Sequence, residues 1–322
     1  MPCYHPQNVI RSKRVCHRKS GKPVIFFNKS YLKYRKLWND DSYRDYRNPD
    51  FRMRDYYEPD EFQVPGCSPK CLGCQEDYSR QWAVRAWHHS MKHKENAFIT
   101  LTFNDKYVPR ELDHSIWQRF MKRLRRAISQ PVSMFMAGEY GSKNFRPHFH
   151  ACIFGFGFPD RVLWSVRNGV QLYTSAFLGR LWSDPKTGES FGFSSVGDVT
   201  FESAAYIARY VGKKSQRSVE ELDGRKPEYS KCSLKRPIGK DWFLSYKSSV
   251  YPDDAVTLVS GRKVKPPRYY DKLLALTNPD LLDSIKHCRK EKAIASPDNT
   301  PARLLERESV KKAQFLKLKR GL

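Results

Sequence analysis

The sequence contains no stretch of 18 or more apolar residues, so nothing in it reads as a membrane-spanning helix. Met1 to Ile10 is polar and contains proline, with no apolar core of a secretion signal, so the chain is expected to remain in the cytoplasm where it is made and to have no membrane partner. The Gly-x-x-x-x-Gly-Lys-Ser/Thr loop that cradles nucleotide phosphates is missing. No internal repeat is present. Acidic residues are few: 34 Asp and Glu face 59 Lys and Arg across 322 residues, a formal charge of +25. Eight cysteines without a secretion signal argue against a disulfide framework and for free thiols or metal ligands.

What is present is positive charge and aromatic surface, the latter at 14% of residues. Basic side chains bind phosphates by releasing counterions, and exposed rings stack on unpaired bases, so the composition suits a nucleic acid partner. A soluble protein with an ordinary basic surface has the same composition, so the choice rests on motifs.

Residues 1–66 are polar and rich in Tyr, Arg, Asp and Pro, with one short apolar run at Val24 to Phe27, and read as an irregular or loosely sheeted arm that does not fold alone and packs on the core. The main domain is expected over residues 67–250 and a basic extension over 251–322. The main domain opens on a cysteine knuckle, Cys67-Ser-Pro-Lys-Cys71-Leu-Gly-Cys74, followed by a helix over Gln75 to Lys92 with Tyr78, Trp82, Ala86 and Trp87 at helical spacing. Ala97 to Phe103 alternates as a strand, with Ile99 and Leu101 on one face and Thr100 and Thr102 on the other. From His114 to Ile128 a helix repeats Ile116, Phe120, Leu124 and Ile128, and exposes Arg119, Lys122, Arg123, Arg125 and Arg126. Val132 to Glu139 and Pro147 to Phe154 read as a hairpin, which makes the sheet antiparallel. A loop-rich stretch with Trp164, Tyr173 and Trp182 precedes a short strand near Phe193 to Thr200. A helix from Phe201 to Val211 follows, with Glu202 in its first turn and Gly212 ending it. Residues 262–322 carry 16 basic and 7 acidic residues and read as a charged helical tail.

Strand alternation places His148 and His150 on one face with Phe149 on the other, so two imidazoles can converge on one ion. A His-x-His pair is also common without any metal. Glu139 ends the preceding strand and, if the two strands pair, supplies a carboxylate as third ligand; an exposed turn residue is the alternative. Two imidazoles and a carboxylate suit Mn²⁺ or Mg²⁺ acting on a phosphate oxygen. Cys152 shares the histidine face and reads as a buried apolar filler.

Tyr206-Ile-Ala-Arg-Tyr210 sets two phenols at i and i+4, with Lys213 and Lys214 three and four positions further on. On its own such a pair is more often two ordinary half-buried aromatics. A phenol has a reference pKa of about 10, so it attacks a phosphodiester only where the phosphate is polarised and proton loss is eased, roles open to the metal and to Lys213 or Lys214. Cys67, Cys71 and Cys74, with Cys3 or His5 as a fourth donor, form a candidate structural Zn²⁺ site; reduced thiols in a turn are the alternative.

The order and content of these motifs resemble the replication initiators of small single-stranded DNA microviruses, especially the gokushovirus group, within the HUH endonuclease superfamily. The matching segments are Met1-Pro-Cys-Tyr-His-Pro6, the cysteine knuckle before Ser79-Arg-Gln-Trp-Ala-Val-Arg85, Phe98-Ile-Thr-Leu-Thr-Phe103, Gly138-Glu-Tyr-Gly141, Arg146-Pro-His-Phe-His150, Tyr206-Ile-Ala-Arg-Tyr210-Val-Gly-Lys-Lys214, Arg236-Pro-Ile-Gly239 and Pro267-Arg-Tyr-Tyr-Asp271. The knuckle departs from the family's usual Cys-x-x-Cys-x-x-Cys in having three residues between Cys67 and Cys71.

The resemblance implies an α+β fold with a central antiparallel, palm-like sheet flanked by helices, metal at His148, His150 and Glu139, and nucleophiles at Tyr206 and Tyr210. It implies rolling-circle initiation: a nick in single-stranded DNA at a viral origin, a 5′-phosphotyrosine, a free 3′-hydroxyl, and later strand transfer, in a host cytoplasm with the host helicase and polymerase. Arg146 joins the basic helix as a candidate DNA contact. Two other readings stay open: a zinc-stabilised nucleic-acid-binding protein without catalysis, and an HUH transposase or plasmid initiator.

Overall fold

The computed structural model describes residues 3–4, 7–16, 23–27, 60–64, 71–141, 144–167, 169–213, 222–251 and 253–317. Two compact units emerge, Met1–Cys74 with Pro297–Leu322, and Gln75–Ser296. Residues 251–296 of the expected extension thus fall in the larger unit, and the remainder in the smaller.

In the smaller unit, β1 (Gln7–Cys16) pairs antiparallel with β2 (Pro23–Phe27) on one side and β3 (Asp60–Val64) on the other. The arm therefore contains a three-stranded sheet, and its apolar run is β2.

Helix α1 (Leu72–Ser90) leads to β4 (Asn96–Leu101), α2 (His114–Ala127), β5 (Ser133–Tyr140) and β6 (Pro147–Phe154). Then come β7 (Val162–Arg167), β8 (Val170–Thr174), α3 (Ala176–Leu181), β9 (Ser194–Gly197), α4 (Phe201–Lys213) and β10 (Tyr229–Cys232). The larger unit ends with α5 (Lys240–Val250), β11 (Val256–Thr257), β12 (Lys263–Val264), α6 (Arg268–Thr277) and α7 (Pro279–Ala295). Helix α8 (Pro301–Lys317) belongs to the smaller unit.

Seven strands make one sheet in the order β10-β5-β6-β4-β9-β8-β7, with every neighbouring pair antiparallel. The fold is α+β, as the strand and helix patterns imply. Alternation along β4 buries Ala97, Ile99 and Leu101 on one face. On that face they meet Phe149, Ala151 and Ile153 of β6 and the α2 residues Trp117, Phe120, Met121 and Leu124. Each buried Leu, Ile, Phe or Met among them contributes about 1.5–3 kcal/mol by leaving water. Asp113 caps α2 by accepting from the Ser115 amide at 2.8 Å. The buried stripe of α2 is centred closer to Trp117 and Met121 than the every-fourth-residue pattern suggested, leaving Ile116 and Ile128 only partly covered. The opposite face of the sheet carries Phe135, Ala137, Cys152 and Phe154 against Ala86 of α1 and Ala204, Ile207 and Ala208 of α4.

Two readings are corrected. The stretch expected to be loop-rich holds the β7–β8 hairpin and α3. Val162, Leu163, Trp164, Val166 and Val170 of the hairpin are all exposed, so the edge shows no period-two burial to read. Gly212 does not end its helix; α4 runs through it to Lys213.

Motifs far apart in sequence meet beside α1. The Arg85 guanidinium lies 4.1 Å from the Trp82 ring and 4.0 Å from the Tyr269 ring, and its Nε donates to the Ile238 carbonyl at 3.1 Å. The Arg268 amide donates to the Gln81 side chain at 2.9 Å. Gly239 sits at φ +81°, where a Cβ would stand 2.9 Å from Tyr270 Oη and 3.1 Å from the Arg85 carbonyl, so both the turn and the close approach require glycine.

His88 and His89 are buried on α1. Tyr270 Oη lies 2.9 Å from His88 Nδ1, Trp242 stacks on the His88 ring, and His89 Nε2 lies 2.8 Å from Ser133 Oγ. Burial holds His88 down at about 3; burial, helped by His93, holds His89 at about 4. Both pKa values are depressed on folding, so between pH 6.5 and about 4 the unfolded chain binds more protons and folding weakens by up to about 1.4 kcal/mol per unit per group. Urea midpoints are therefore expected to fall steadily as pH drops from 6.5 to 4. His88→Gln should flatten that slope; an unchanged slope would show that His88 does not set it.

Candidate active site

The β5–β6 ladder places Glu139 directly opposite His148 and Ala137 opposite His150, while β4 sets Thr100 opposite His150 on its other side. One sheet face therefore gathers Glu139, His148, His150 and Thr100. This is the face covered by α4. His148 Nε2 and His150 Nε2 lie 2.6 and 2.8 Å from Glu139 Oε1. Glu139 is 3% exposed and His150 8% exposed, so the cluster is shielded from bulk water.

Each imidazole is oriented through its other nitrogen. His148 Nδ1 lies 3.1 Å from the Arg146 carbonyl, which can only accept, so that nitrogen carries hydrogen. His150 Nδ1 lies 2.9 Å from Thr100 Oγ1. His148 Nε2 donates to the Glu139 carboxylate, so loss of that proton would free its lone pair, with Nδ1 still held by its outer partner as in metal-binding histidines.

Burial alone would raise the Glu139 carboxyl, but the His148 and His150 imidazoles outweigh it and hold the group far below the usual carboxylate range. Burial works against protonation of His148 but loses to Glu139, and His148 is raised. For His150 burial wins and the pKa falls. His150 Nε2 is buried and makes no hydrogen bond, despite the short distance to Glu139. An unpartnered buried nitrogen beside an ionised carboxylate and a second imidazole fits a divalent cation held by three ligands; the three donor atoms lie within 4.8 Å of one another.

Helix α4 brings Tyr206 to this cluster. Ala204, Ile207 and Ala208 are fully buried against the sheet, and the Tyr206 hydroxyl donates to Glu139 Oε1 at 2.8 Å. Its ring meets His150 edge-on, with centroids 4.9 Å apart, and packs edge-on against Phe98. Tyr210 and Lys213 lie on the same helix with side chains beyond the described atoms, and Lys214 lies outside the described residues. Cys152 is fully buried on the same face two positions beyond His150, and burial pushes its thiol up, as suits a filler.

The basic helix α2 is not brought to this cluster; it packs on the opposite sheet face. Arg119, Lys122, Arg125 and Arg126 are exposed there. Arg123 directs its guanidinium to the Leu181 carbonyl at 3.0 and 2.8 Å, bracing the end of α3. Arg146 donates to the Phe103 carbonyl at 3.0 Å and pairs with Asp105. Sequence reasoning missed Thr100, although its polar strand face was visible. It also missed Arg209, exposed on α4 with its guanidinium 5.3 Å from the Tyr206 ring. A second cluster, in the smaller unit, joins Cys3, Cys71 and Cys74; Cys67 and His5 lie outside the described residues. No helix among the described residues is long and apolar enough to cross a membrane.

Thr100→Val removes the hydroxyl beside His150 and is expected to weaken Mn²⁺ binding about tenfold by calorimetric titration; unchanged affinity would remove Thr100 from the positioning of His150. Binding must displace the proton that His148 retains, so affinity should rise with pH through the His148 titration and then level off.

Residues 96–215, which span β4 to the end of α4, match the family Replication-associated protein ORF2/G2P. The chain is 32% identical over 221 residues to Replication-associated protein VP4 of Bdellovibrio phage phiMH2K, covering 66% of this chain and 68% of the relative. It is 30% identical over 242 residues to Replication-associated protein ORF2 of Spiroplasma virus 4, covering 70% and 72%. It is 29% identical over 244 residues to Replication-associated protein ORF4 of Chlamydia phage 1, covering 70% and 57%. No solved structure matches the chain. With His148, His150, Glu139 and Tyr206 all inside the matched segment, the chain belongs to the phage replication-associated proteins of the ORF2/G2P family.

Proposed function

We propose that this replication-associated protein initiates rolling-circle replication by nicking single-stranded DNA at a viral origin, with Tyr206 and Tyr210 as nucleophiles. The observation that carries the reading is the Tyr206 hydroxyl, 2.8 Å from Glu139 Oε1 inside the His148, His150 and Glu139 cluster. A tyrosine that only filled space would have no need of a buried carboxylate and two imidazoles.

Mg²⁺ or Mn²⁺ held by His148, His150 and Glu139 would polarise a phosphate oxygen and stabilise the charge that develops there. Glu139 accepts the phenol hydrogen bond and aims Tyr206 Oη at the cleft. Arg209 and Lys213 supply positive charge along α4 and Lys214 follows them in sequence, charge that favours the phenolate and binds flanking phosphates. Attack of Oη on phosphorus forms the 5′-phosphotyrosine bond and breaks the bond to the 3′ oxygen, which takes up a proton and leaves as a free hydroxyl primer. The phosphodiester's energy stays in the phosphotyrosine, so a 3′-hydroxyl can later attack it and rejoin a strand, while a second tyrosine can open the next site. Unwinding and synthesis fall to the host helicase and polymerase, in the host cytoplasm.

The test is incubation of the full chain with labelled single-stranded DNA covering its own genome and Mn²⁺ or Mg²⁺. The expected result is a protein–DNA adduct that survives denaturation. A folded protein that binds this DNA but yields no adduct would overturn the reading in favour of non-catalytic binding. Tyr206→Phe and Tyr210→Phe are each expected to leave partial nicking and the double change to abolish it. His148→Ala should lose at least about a hundredfold in cleavage while retaining DNA binding.

A further inference from the structure

Cys3 is separated from Cys71 and Cys74 by 68 and 71 positions, yet the three sulfurs lie within 4.8 Å of one another. Cys71 immediately precedes α1 and Cys74 sits in its first turn, so one helix end presents both sulfurs. Cys71 is 2% exposed and packs with Tyr4 and Leu304, while Cys3, Leu72 and Cys74 line the same cluster. The sulfurs therefore converge in a dry, apolar setting.

Three chemistries compete for three converging thiols. A disulfide joins two sulfurs at about 2 Å and leaves the third unpaired. Reduced thiols need no convergence, because each packs as a small apolar group. A tetrahedral zinc ion with Zn–S bonds of about 2.3 Å sets its sulfurs about 3.8 Å apart, and three cysteines at this separation are within a small adjustment of that geometry.

We propose that Cys3, Cys71 and Cys74 bind a structural Zn²⁺ ion as three thiolates, fastening residue 3 to the start of α1. Three Zn–S bonds form as three thiol protons pass to solvent, and one further donor or water completes the tetrahedron. The site is separate in residues and in role from the His148, His150 and Glu139 cluster. Soft thiolates select zinc, whereas the carboxylate-containing cluster accepts harder ions.

The test uses the full chain carrying His148→Ala and His150→Ala, so that the second cluster cannot hold the counted metal. After exhaustive dialysis, elemental analysis is expected to find about one zinc per chain. Replacement by Co²⁺ should give an intense near-ultraviolet sulfur-to-cobalt charge-transfer band, which imidazole and carboxylate ligands do not produce. Cys71→Ser should remove both signals. If that variant fails to fold, mild oxidant on the parent protein decides the matter, because zinc release should accompany loss of three titratable thiols. Zinc at trace levels, no sulfur-to-cobalt band, or a Cys3–Cys71, Cys3–Cys74 or Cys71–Cys74 disulfide in the isolated protein would overturn the site. None of these readouts depends on DNA cleavage.

Discussion

Glu139 and His148 face each other across the β5–β6 ladder, and the polar cluster follows from that register. A slip of one residue would turn both imidazoles into the layer now occupied by Phe149, Ala151 and Ile153. The apolar face under α2 thus locks the polar face in alignment, because moving either strand would expose buried aromatic and aliphatic area. A carboxylate as deeply enclosed as Glu139 needs compensating positive charge. In the absence of a cation, the raised pKa of His148 supplies it, so the same side chain exchanges one cation for another.

Helix α4 reaches this face through small residues. Ala204 and Ala208 let it lie close to β5 and β6, with Ile207 filling the layer. Tyr206 stands at the flank of that contact and not in its centre, which is why its ring packs edge-on against the stacked Phe98 and His150 rings while its hydroxyl remains directed at Glu139. The sheet consequently separates two kinds of surface in the larger unit: an aromatic, ligand-bearing side under α4 and an arginine-rich helix on the other.

Much of the site was legible because strand period and hairpin pairing are strong constraints. The bounds of β6, the shared face of His148 and His150, and the approach of Glu139 all follow from alternation plus one tight turn. The approach of Tyr206 did not follow, since helical spacing places two tyrosines on one side without saying what that side meets. Thr100 was readable as polar-facing, but its pairing with His150 depends on β6 lying beside β4, a long-range adjacency. The β7–β8 hairpin escaped because its apolar residues are exposed at an edge, leaving no alternation. Arg123 shared the sequence signature of its basic neighbours, and only the nearby Leu181 carbonyl distinguishes it.

The Arg85 sandwich also bears on how such a chain tolerates recombination. Its guanidinium touches residues from α1, the Ile238–Gly239 turn and the start of α6, segments separated by more than 150 positions at their widest. Short signatures that look independent on paper are one physical joint. A hybrid gene that imported only the α1 segment from a divergent relative would bring a mismatched partner to that joint, so crossovers are best placed to carry all three segments from the same parent.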